Sequence, residues 1–210
     1  PLDPLKSPQQ NAASLFREYT KQKTARGHLI HQIQEGEQRL DYLNSVLTFI
    51  EEAESEKDLS DLRQELVETG VIRADNRRRK EKRRQQAPLS FRSEDGFEIL
   101  VGRNNLQNDE LTTKIGRRTD YWLHAQHIHG SHVLIRCEGT PPSETAIEQA
   151  AVIAAYYSHA RGSGKMPVDY TMLRHVRKPV GAMPGNVLYT DYSTIIVESD
   201  ETLVRRLQIG

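Results

Sequence analysis

The sequence predicts an α+β protein in which a long helical coiled-coil arm is followed by a compact mixed α/β domain. Residues 12–53 contain no proline and place apolar side chains at helical spacing. Residues 91–198 carry short apolar runs separated by glycine on both sides of one helical segment, which is typical of α+β domains. We expect a coiled-coil arm with a partial helical hairpin at 1–70, a basic linker at 71–90, the domain at 91–198 and a C-terminal tail at 199–210.

The arm is predicted as one helix from the region of Pro8, capped by Ser7. About 42 residues at 1.5 Å each give a rod of roughly 60 Å. A return helix that opens at Asp58 or Ser60 and stops at Gly70 covers only part of it. We therefore expect the apolar seam of the rod to need a partner, either a second copy or another segment. The seam consists of Leu29, Ile33, Leu40, Leu43, Leu47 and Ile50.

The domain is predicted from its elements in order. Short strands are expected at 97–101, 121–125 and 132–136, and a short helix at 105–115. Ser143 caps a helix at 144–161 whose small apolar residues form a packing face. Two further β-like segments follow at 168–176 and 187–197. Strands on both sides of one main helix support the α+β class.

The formal net charge of zero conceals three regions of different charge. Residues 1–70 have 8 basic and 13 acidic groups, 71–88 have 8 and 2, and 89–210 have 13 and 14. The basic excess lies in Arg73 and residues 77–84, a run typical either of a solvated tail or of a contact to nucleic-acid phosphates. The apolar runs are too short for a membrane span. The single cysteine, Cys137, excludes a disulfide framework and favours a cytoplasmic setting. The first residue is not methionine, so we expect a fragment.

Polar side chains in the domain are the candidates for ligand binding. Arginine and asparagine offer forked or paired groups that suit phosphate oxygens and base edges, and the alternative is a helix-capping loop. Lys178 stands before a proline- and glycine-rich turn and is a candidate phosphate contact. His124 and Ser131 are expected to hydrogen-bond ligand or backbone, and Trp122 to pack in the core. The candidates after Gly102 are Arg103, Asn104, Asn105 and Asn108.

The histidines do not predict a metal or a catalytic site. His124, His127, His129 and His132 are spaced by three, two and three residues. This spacing does not place them on one side of a strand or helix, and no nearby cysteine or carboxylate completes a tetrahedral set. Ser131 and His132 are adjacent, so a strand would point them to opposite faces. We expect no catalytic residues, no metal and no cofactor.

Taken in order, four motifs resemble the C-terminal domain of NFACT proteins, a family that includes bacterial fibronectin-binding-protein-A-like factors. The resemblance covers about Phe91 to Val197. The front of the chain is similar to the start of the family's middle coiled coil, in Leu2–Ala12 and Tyr19–Lys23. The four motifs are Gly102–Thr112, Asp120–Ala125 with Gly130–Val133, Val168–Thr171 and Arg177–Gly185.

The resemblance implies the RNA-binding part of a factor in ribosome quality control. Intact family members are expected to bind large ribosomal subunits obstructed by peptidyl-tRNA and to promote template-free C-terminal alanine tailing. The ribosome makes the peptide bond in this process, so we expect a binding module and not an enzyme. The implied partners are the large subunit, tRNA, ribosomal RNA and the upstream half of the same protein, which would supply the other coiled-coil arm and the residues that select tRNA. No membrane partner is expected.

This interpretation assigns RNA binding to fourteen residues. Six lie in the basic linker, and the others lie in the domain. Two alternatives stay open: an RNA-processing enzyme that uses His124 and His132, and a surface adhesin that binds fibronectin. The fourteen residues are Arg77, Arg78, Arg79, Lys80, Arg83, Arg84, Arg103, Asn104, Asn105, Asn108, His124, Ser131, His132 and Lys178.

Overall fold

A computed structural model describes residues 2–74 and 86–209. It confirms the α+β class, with a long helix and an antiparallel sheet domain. The chain divides into two compact units, residues 1–41 and 42–210. Helix α1 runs from Pro8 to Glu51 and therefore contributes to both units, whereas all other helices and strands belong to the second.

In the first unit, α1 begins where the sequence predicts it. Ser7 accepts a hydrogen bond from the Gln10 backbone N at 3.2 Å, and the Gln10 side chain accepts from the Ser7 backbone N at 2.9 Å. This reciprocal pair provides hydrogen-bond partners for backbone N–H groups that have none within the first turn of the helix. Asn11 adds bonds in both directions to Asp3, donating to its carbonyl oxygen and accepting from its backbone N, each at 2.9 Å. The predicted cap at Ser7 is confirmed.

The predicted apolar seam is exposed to solvent along most of α1. Five of its six members are exposed, with fractions of 41–59%: Leu29, Ile33, Leu40, Leu47 and Ile50. In the second unit the buried face of α1 is a different one, formed by Tyr42, Val46 and Phe49. These three residues are spaced by four and three and share one face of a helix. The seam is thus left uncovered by the described part of the chain.

Helix α2 spans Glu56–Glu68, and it starts two residues before the earlier of its two predicted openings. Ser55 is the cap: its hydroxyl accepts from the Asp58 backbone N at 3.2 Å, and the Asp58 carboxylate accepts from the Ser55 backbone N at 3.0 Å. Asp58 is therefore the third residue of the helix, and its side chain provides the second hydrogen bond of the capping box. The helix ends before Gly70, as predicted, and Gly70 has a φ of 72°.

The domain is built on a six-stranded antiparallel sheet with the order β1-β2-β4-β3-β5-β8. Strand β3 runs from Tyr121 to Ala125 as predicted, and β5 is the longest strand. A two-stranded ribbon of β6 and β7 lies outside this sheet. The strands are β1 Leu89–Arg92, β2 Glu98–Val101, β3 Tyr121–Ala125, β4 Val133–Arg136, β5 Lys165–Met172, β6 Val176–Arg177, β7 Leu188–Tyr189 and β8 Ser193–Glu198.

Alternate residues of each strand point to opposite faces of the sheet. Buried side chains form a core on each face. On one face, Leu123 and Val133 belong to the main core with helix α4, Glu144–Tyr156. Ser143 caps this helix as predicted, accepting from the Ala146 backbone N at 3.0 Å. On the other face, Trp122 and Leu134 form a smaller core with Leu111 and Leu173.

Several segments differ from the sequence-based expectation: α4 ends five residues before the predicted limit of 161, β1 was not predicted, and the predicted segments 168–176 and 187–197 are each divided between separate elements. The predicted helix at 105–115 is α3, Asn105–Glu110, followed by one wider π-helical turn, Leu111–Ile115. The predicted tail at 199–210 contains α5, Glu201–Leu207, which Asp200 caps. Val204 and Leu207 of this helix are buried in the main core. The final helix therefore packs as part of the domain.

Candidate nucleic-acid interface

The asparagines after Gly102 are internal to the protein. Asn104 is the cap of α3 and accepts from the Gln107 backbone N at 2.9 Å. Asn105 is also buried; its side chain donates to Ser45 and to Glu65, each at 3.0 Å. These bonds satisfy the amides inside the second unit. The capping-loop alternative therefore describes Asn104, whereas Asn105 bonds to side chains of the helical hairpin; both residues are buried in this structure.

Glu65 is the acceptor at the centre of this network. Its carboxylate, which has no exposed surface, accepts from the Tyr42 hydroxyl at 2.8 Å and from the Asn105 backbone N at 3.1 Å. Burial raises the pKa of Glu65, although the hydrogen bonds from Asn105 and Tyr42 act in the opposite direction. The network joins α1, α2 and α3, so it fixes the helical hairpin on the domain within the second unit.

Asn108 and Ser131 hold together the loops at the ends of β2 and β4. The Asn108 side chain accepts from the His132 backbone N at 2.9 Å and donates to the Gly130 carbonyl oxygen at 3.3 Å. Ser131 donates to the Gly102 carbonyl oxygen at 2.6 Å. A Cβ on Gly102 would overlap the Asn108 side chain, so this loop requires glycine there. Asn108 and Ser131 are buried and are structural in this arrangement.

His124 and His132 pack against Trp122 in the smaller core. His124 stacks on the indole with ring centroids 5.7 Å apart, and His132 meets the indole edge-on at 5.1 Å. Burial lowers the pKa of His124 to about 4 and that of His132 to about 3. Both rings are therefore neutral at physiological pH. Trp122 is fully buried, which confirms the core assignment.

The hydrogen bond between His132 and Thr112 determines which ring nitrogen of His132 carries the proton. Thr112 donates its hydroxyl proton to the Asn108 carbonyl oxygen at 2.7 Å, so its oxygen accepts from His132 Nδ1 at 2.9 Å. The neutral imidazole of His132 therefore donates its Nδ1 proton to Thr112 within the protein. Like Asn104, Asn105, Asn108 and Ser131, His132 is buried, and direct contact of these five residues with RNA stays a prediction. Within residues 2–74 and 86–209, no three His, Cys, Asp or Glu side chains are arranged to hold a metal ion.

Arg103 and Lys178 are both engaged in ion pairs within the protein. Arg103 contacts the Asp58 carboxylate at 3.1 Å and donates to the Ala87 carbonyl oxygen at 3.2 Å. Lys178 pairs with Asp109, which also accepts from the Gly185 backbone N at 3.0 Å. Asp109 therefore holds the end of the turn at 181–185, at Gly185, and balances the charge of Lys178. The six basic residues Arg77, Arg78, Arg79, Lys80, Arg83 and Arg84 lie outside the described residues.

The structure brings together four exposed arginines that the sequence analysis did not select. We call Arg117, Arg118, Arg174 and Arg177 the arginine patch; all four are exposed. Strands β3 and β5 are paired with Tyr121 opposite Met172, so the segments before β3 and after β5 lie side by side. The Arg174 backbone N donates to the Arg118 carbonyl oxygen at 3.2 Å. Arg177 follows three residues later on β6.

Within the described residues, the guanidinium groups of the arginine patch have no carboxylate partner. Among the described residues, none of its guanidinium groups lies within 4.0 Å of a carboxylate oxygen. Most other arginines of the domain are paired with carboxylates: Arg103 with Asp58, Arg136 with Asp120, Arg161 and Arg205 with Glu201, and Arg206 with Glu94. Exposed arginines that are not paired with a carboxylate are suited to bidentate contacts with phosphate oxygens.

Comparisons with known proteins identify the family. Residues 88–191 match the family profile described as "NFACT protein RNA binding domain", and residues 1–85 match "NFACT N-terminal and middle domains". The chain belongs to the NFACT family. The arginine patch lies wholly within residues 88–191. No helix in the described part of this NFACT chain is both long and apolar enough to cross a membrane.

Relatives align with nearly the whole chain. The "Rqc2 homolog RqcH" of Bacillus subtilis is 40% identical over 210 residues, which are 99% of this chain and 36% of that protein. The protein of the same name from Streptococcus suis is 39% identical over 209 residues, 99% of this chain and 37% of that protein. The chain thus spans about a third of the length of these curated relatives. Both NFACT segments are included in these alignments.

A solved structure supports the fold. It is described as the C-terminal of the fibronectin/fibrinogen-binding protein from Streptococcus suis, and it superposes with a TM-score of 0.90 at 37% identity. The alignment covers 98% of this chain and 82% of that one. The NFACT architecture described above, a long helix followed by the sheet domain, is therefore shared with a relative of known structure.

Proposed function

We propose that this chain is the RNA-binding part of a ribosome quality control factor. The arginine patch carries the proposal, because four exposed arginines with no carboxylate partner among the described residues lie within the segment that matches an RNA-binding family. The relatives named as Rqc2 homologues support the role in ribosome quality control. Cations without internal partners bind a polyanion at little desolvation cost and release its counterions. Phosphate recognition is thus the chemistry to which this surface is suited.

In the proposed mechanism the intact protein holds large ribosomal subunits obstructed by peptidyl-tRNA while alanine is added to the stalled chain without a template. The ribosome forms the peptide bond, and this protein positions RNA. The chain is therefore a binding module and not an enzyme. Its ligands are the phosphates of tRNA and ribosomal RNA, and its place of action is the cytoplasm.

The apolar seam of α1 gives the proposal a second component. Leu29, Ile33 and Leu40 of this seam are exposed. A helix with one exposed apolar stripe is stabilised when a partner helix covers it. We propose that the upstream half of the same protein supplies this partner, and self-association of the present chain is the competing arrangement. Sedimentation equilibrium of the chain alone distinguishes them, because only self-association gives a dimer.

Co-sedimentation with purified large ribosomal subunits tests the function. The chain is titrated against subunits with and without peptidyl-tRNA at several salt concentrations. The test variant replaces Arg117, Arg118, Arg174 and Arg177 by glutamine, and the control replaces Arg205 and Arg206, which are exposed but ion-paired. We expect the test variant alone to lose binding. Equal binding by test and control variants would contradict the assignment of this surface.

Fibronectin binding is a second candidate, because the related solved structure comes from a protein named for fibronectin and fibrinogen binding. That name describes the relative. Binding of one preparation of the chain is measured to immobilised fibronectin and to large ribosomal subunits. The comparison distinguishes the two candidate functions. Binding to fibronectin that survives in the glutamine variant of the arginine patch, with no binding to subunits, would favour the second function over the first.

A further inference from the structure

We propose that Tyr192 and the arginine patch together bind an unpaired nucleotide in an RNA strand. The ring of Tyr192 stacks on the base, and the arginines contact the neighbouring phosphates. This inference rests on the proposed RNA-binding function and narrows the ligand to RNA with an accessible base. Bases exposed in loops and single strands are recognised by stacking on aromatic side chains.

The ring of Tyr192 is exposed but supported. Half of the residue is exposed (50%). The ring meets the Tyr189 ring at an angle of 74° with centroids 5.2 Å apart. Tyr189 is itself fixed, because its hydroxyl donates to the buried Asp169 at 2.7 Å and its ring packs on Trp122 at 4.9 Å. An aromatic platform held in this way loses little conformational entropy when a base stacks on it.

Hydrogen bonds join the segment that carries Tyr192 to the arginine patch. Asp191 lies 3.1 Å from His175 Nδ1, and the Thr190 backbone N donates to the His175 carbonyl oxygen at 3.2 Å. Arg174 Nε donates to His175 Nε2 at 3.0 Å. A short polar chain thus runs from the residue next to Tyr192 to the first arginine of the second segment. The base platform and the phosphate contacts are parts of one surface.

The strand pairing also directs Arg177 outward. In the two-stranded ribbon, Val176 is opposite Tyr189 and Arg177 is opposite Leu188. Val176 and Tyr189 pack on the smaller core, so the alternation of strand side chains leaves Arg177 and Leu188 on the outer side. Leu188 is 51% exposed. An apolar side chain beside a guanidinium group offers additional area to the sugar or base of a bound nucleotide.

Asp191 is an acidic group on this surface, and its side chain is 72% exposed. Because Arg174 donates to His175 Nε2, the proton of the neutral ring is on Nδ1 and is donated to Asp191. The carboxylate therefore orients the imidazole and places an acidic group on this surface. We expect the substitution Asp191→Asn to increase affinity for RNA, because it removes the repulsion of phosphates.

The proposal distinguishes unpaired RNA from duplex RNA. In a duplex both faces of a base are covered by its neighbours, so a duplex can engage the arginines but not the ring of Tyr192. The probes are a single-stranded oligonucleotide of about 12 residues that carries one 2-aminopurine, and the same strand annealed to its complement. The full chain, Tyr192→Ala and Tyr192→Phe are titrated against both. Tyr19→Ala is the control, because Tyr19 is 59% exposed and lies in the first unit.

For the single strand we expect Tyr192→Ala to weaken binding by about 5- to 100-fold, the range that the loss of one stacked base produces. Tyr192→Phe should keep most of the affinity because it keeps the ring. Tyr19→Ala should match the unchanged chain. Quenching of 2-aminopurine on binding should disappear in Tyr192→Ala and persist in Tyr192→Phe. Duplex affinity should be the same in all four proteins.

Two outcomes would overturn the inference. One is an equal loss of single-strand and duplex affinity in Tyr192→Ala, which would make Tyr192 a general structural support. The other is an unchanged single-strand affinity in Tyr192→Ala while the glutamine variant of the arginine patch still loses both ligands; the proposed RNA-binding function would then stand without the stacking site. If the glutamine variant loses neither ligand, the proposed function itself fails.

Discussion

The side chain of Asn105 donates a hydrogen bond to the carboxylate of Glu65, forty residues earlier in the chain, at 3.0 Å. Asn105 is the first residue of α3, and Glu65 lies in the last part of α2. The pair connects the helical hairpin to the sheet domain within the second unit. Glu65 is buried and accepts from three donor groups: the Tyr42 hydroxyl, the Asn105 backbone N and the Asn105 side chain. Removing its carboxylate therefore leaves these donors without that partner.

We expect Glu65→Ala to reduce the free energy of unfolding of the second unit by about 2–4 kcal/mol, since each buried donor left without a partner costs on the order of 1–3 kcal/mol. Urea denaturation followed by tryptophan fluorescence measures the change. Glu68→Ala is the matched control, because Glu68 is exposed on the same helix and bonds only to the exposed Gln64 among the contacts described. Similar losses in both variants would contradict the special role of Glu65.

Glu52 should make stability depend on pH. Burial raises its pKa from 4.5 to about 8, and its Oε1 is buried without a hydrogen-bond partner among the described residues. A folded-state pKa above the unfolded value stabilises the fold at low pH, and this contribution is lost as pH rises from about 4.5 to about 8. Glu52→Gln should therefore remove that slope and stabilise the protein by up to about 4 kcal/mol at pH 8.

The measurement for Glu52 is the free energy of unfolding at intervals between pH 5 and pH 9. Glu51→Gln is the control, because the neighbouring Glu51 side chain is 66% exposed. If the free energy of unfolding of Glu52→Gln and of Glu51→Gln depends on pH in the same way as that of the unchanged protein, the raised pKa of buried Glu52 is not the cause of the pH dependence.

Gly102→Ala should destabilise the domain, because the new Cβ would overlap Asn108 and displace its bonds to Gly130 and His132. We expect a loss of about 2–4 kcal/mol, which combines the strain of overpacking with disrupted buried hydrogen bonds. Gly36→Ala provides the contrast, since a Cβ there meets nothing within 4 Å. It should stabilise the helix by up to about 1 kcal/mol. Thermal denaturation monitored by circular dichroism tests both changes.

The arginine patch should account for part of the salt dependence of RNA binding. Replacing its four members by glutamine should reduce the slope of log affinity against log salt by about 2–3, since each phosphate contact to a single strand contributes roughly 0.7. Filter binding between about 50 and 200 mM salt gives the slope. Arg205→Gln with Arg206→Gln should leave it unchanged, because Glu201 and Glu94 already neutralise these residues. An unchanged slope in the patch variant would exclude phosphate contacts there.

Most of the elements could be predicted from the sequence because local patterns determine them. Ser7 and Ser143 occupy caps that a short stretch of chain specifies, and β3 has the predicted bounds, Tyr121–Ala125. The roles of the polar residues could not be predicted in this way. A buried asparagine and an exposed one have the same identity in the sequence, and only the tertiary fold shows that Asn105 faces Glu65 instead of solvent.

The arginine patch was missed for a related reason. Arg118 and Arg174 are separated by more than fifty positions, and neither stands in a basic run. The pairing of β3 with β5 brings them together, and sequence periodicity does not specify which strands pair. The available signal was the pair Arg117-Arg118, which lies two residues before the predicted strand at 121–125. Isolated arginines near strand ends therefore need to be considered together once a sheet order is known.

Trp122 is the only tryptophan in the chain, and it is fully enclosed in the domain. Its emission is therefore an intrinsic optical probe of one part of the molecule. Loss of the smaller core should shift the emission to longer wavelength, whereas unwinding of residues 8–41 changes the far-ultraviolet circular dichroism and leaves the indole in place. The two spectroscopic signals together resolve the melting of the rod from that of the domain without any added label.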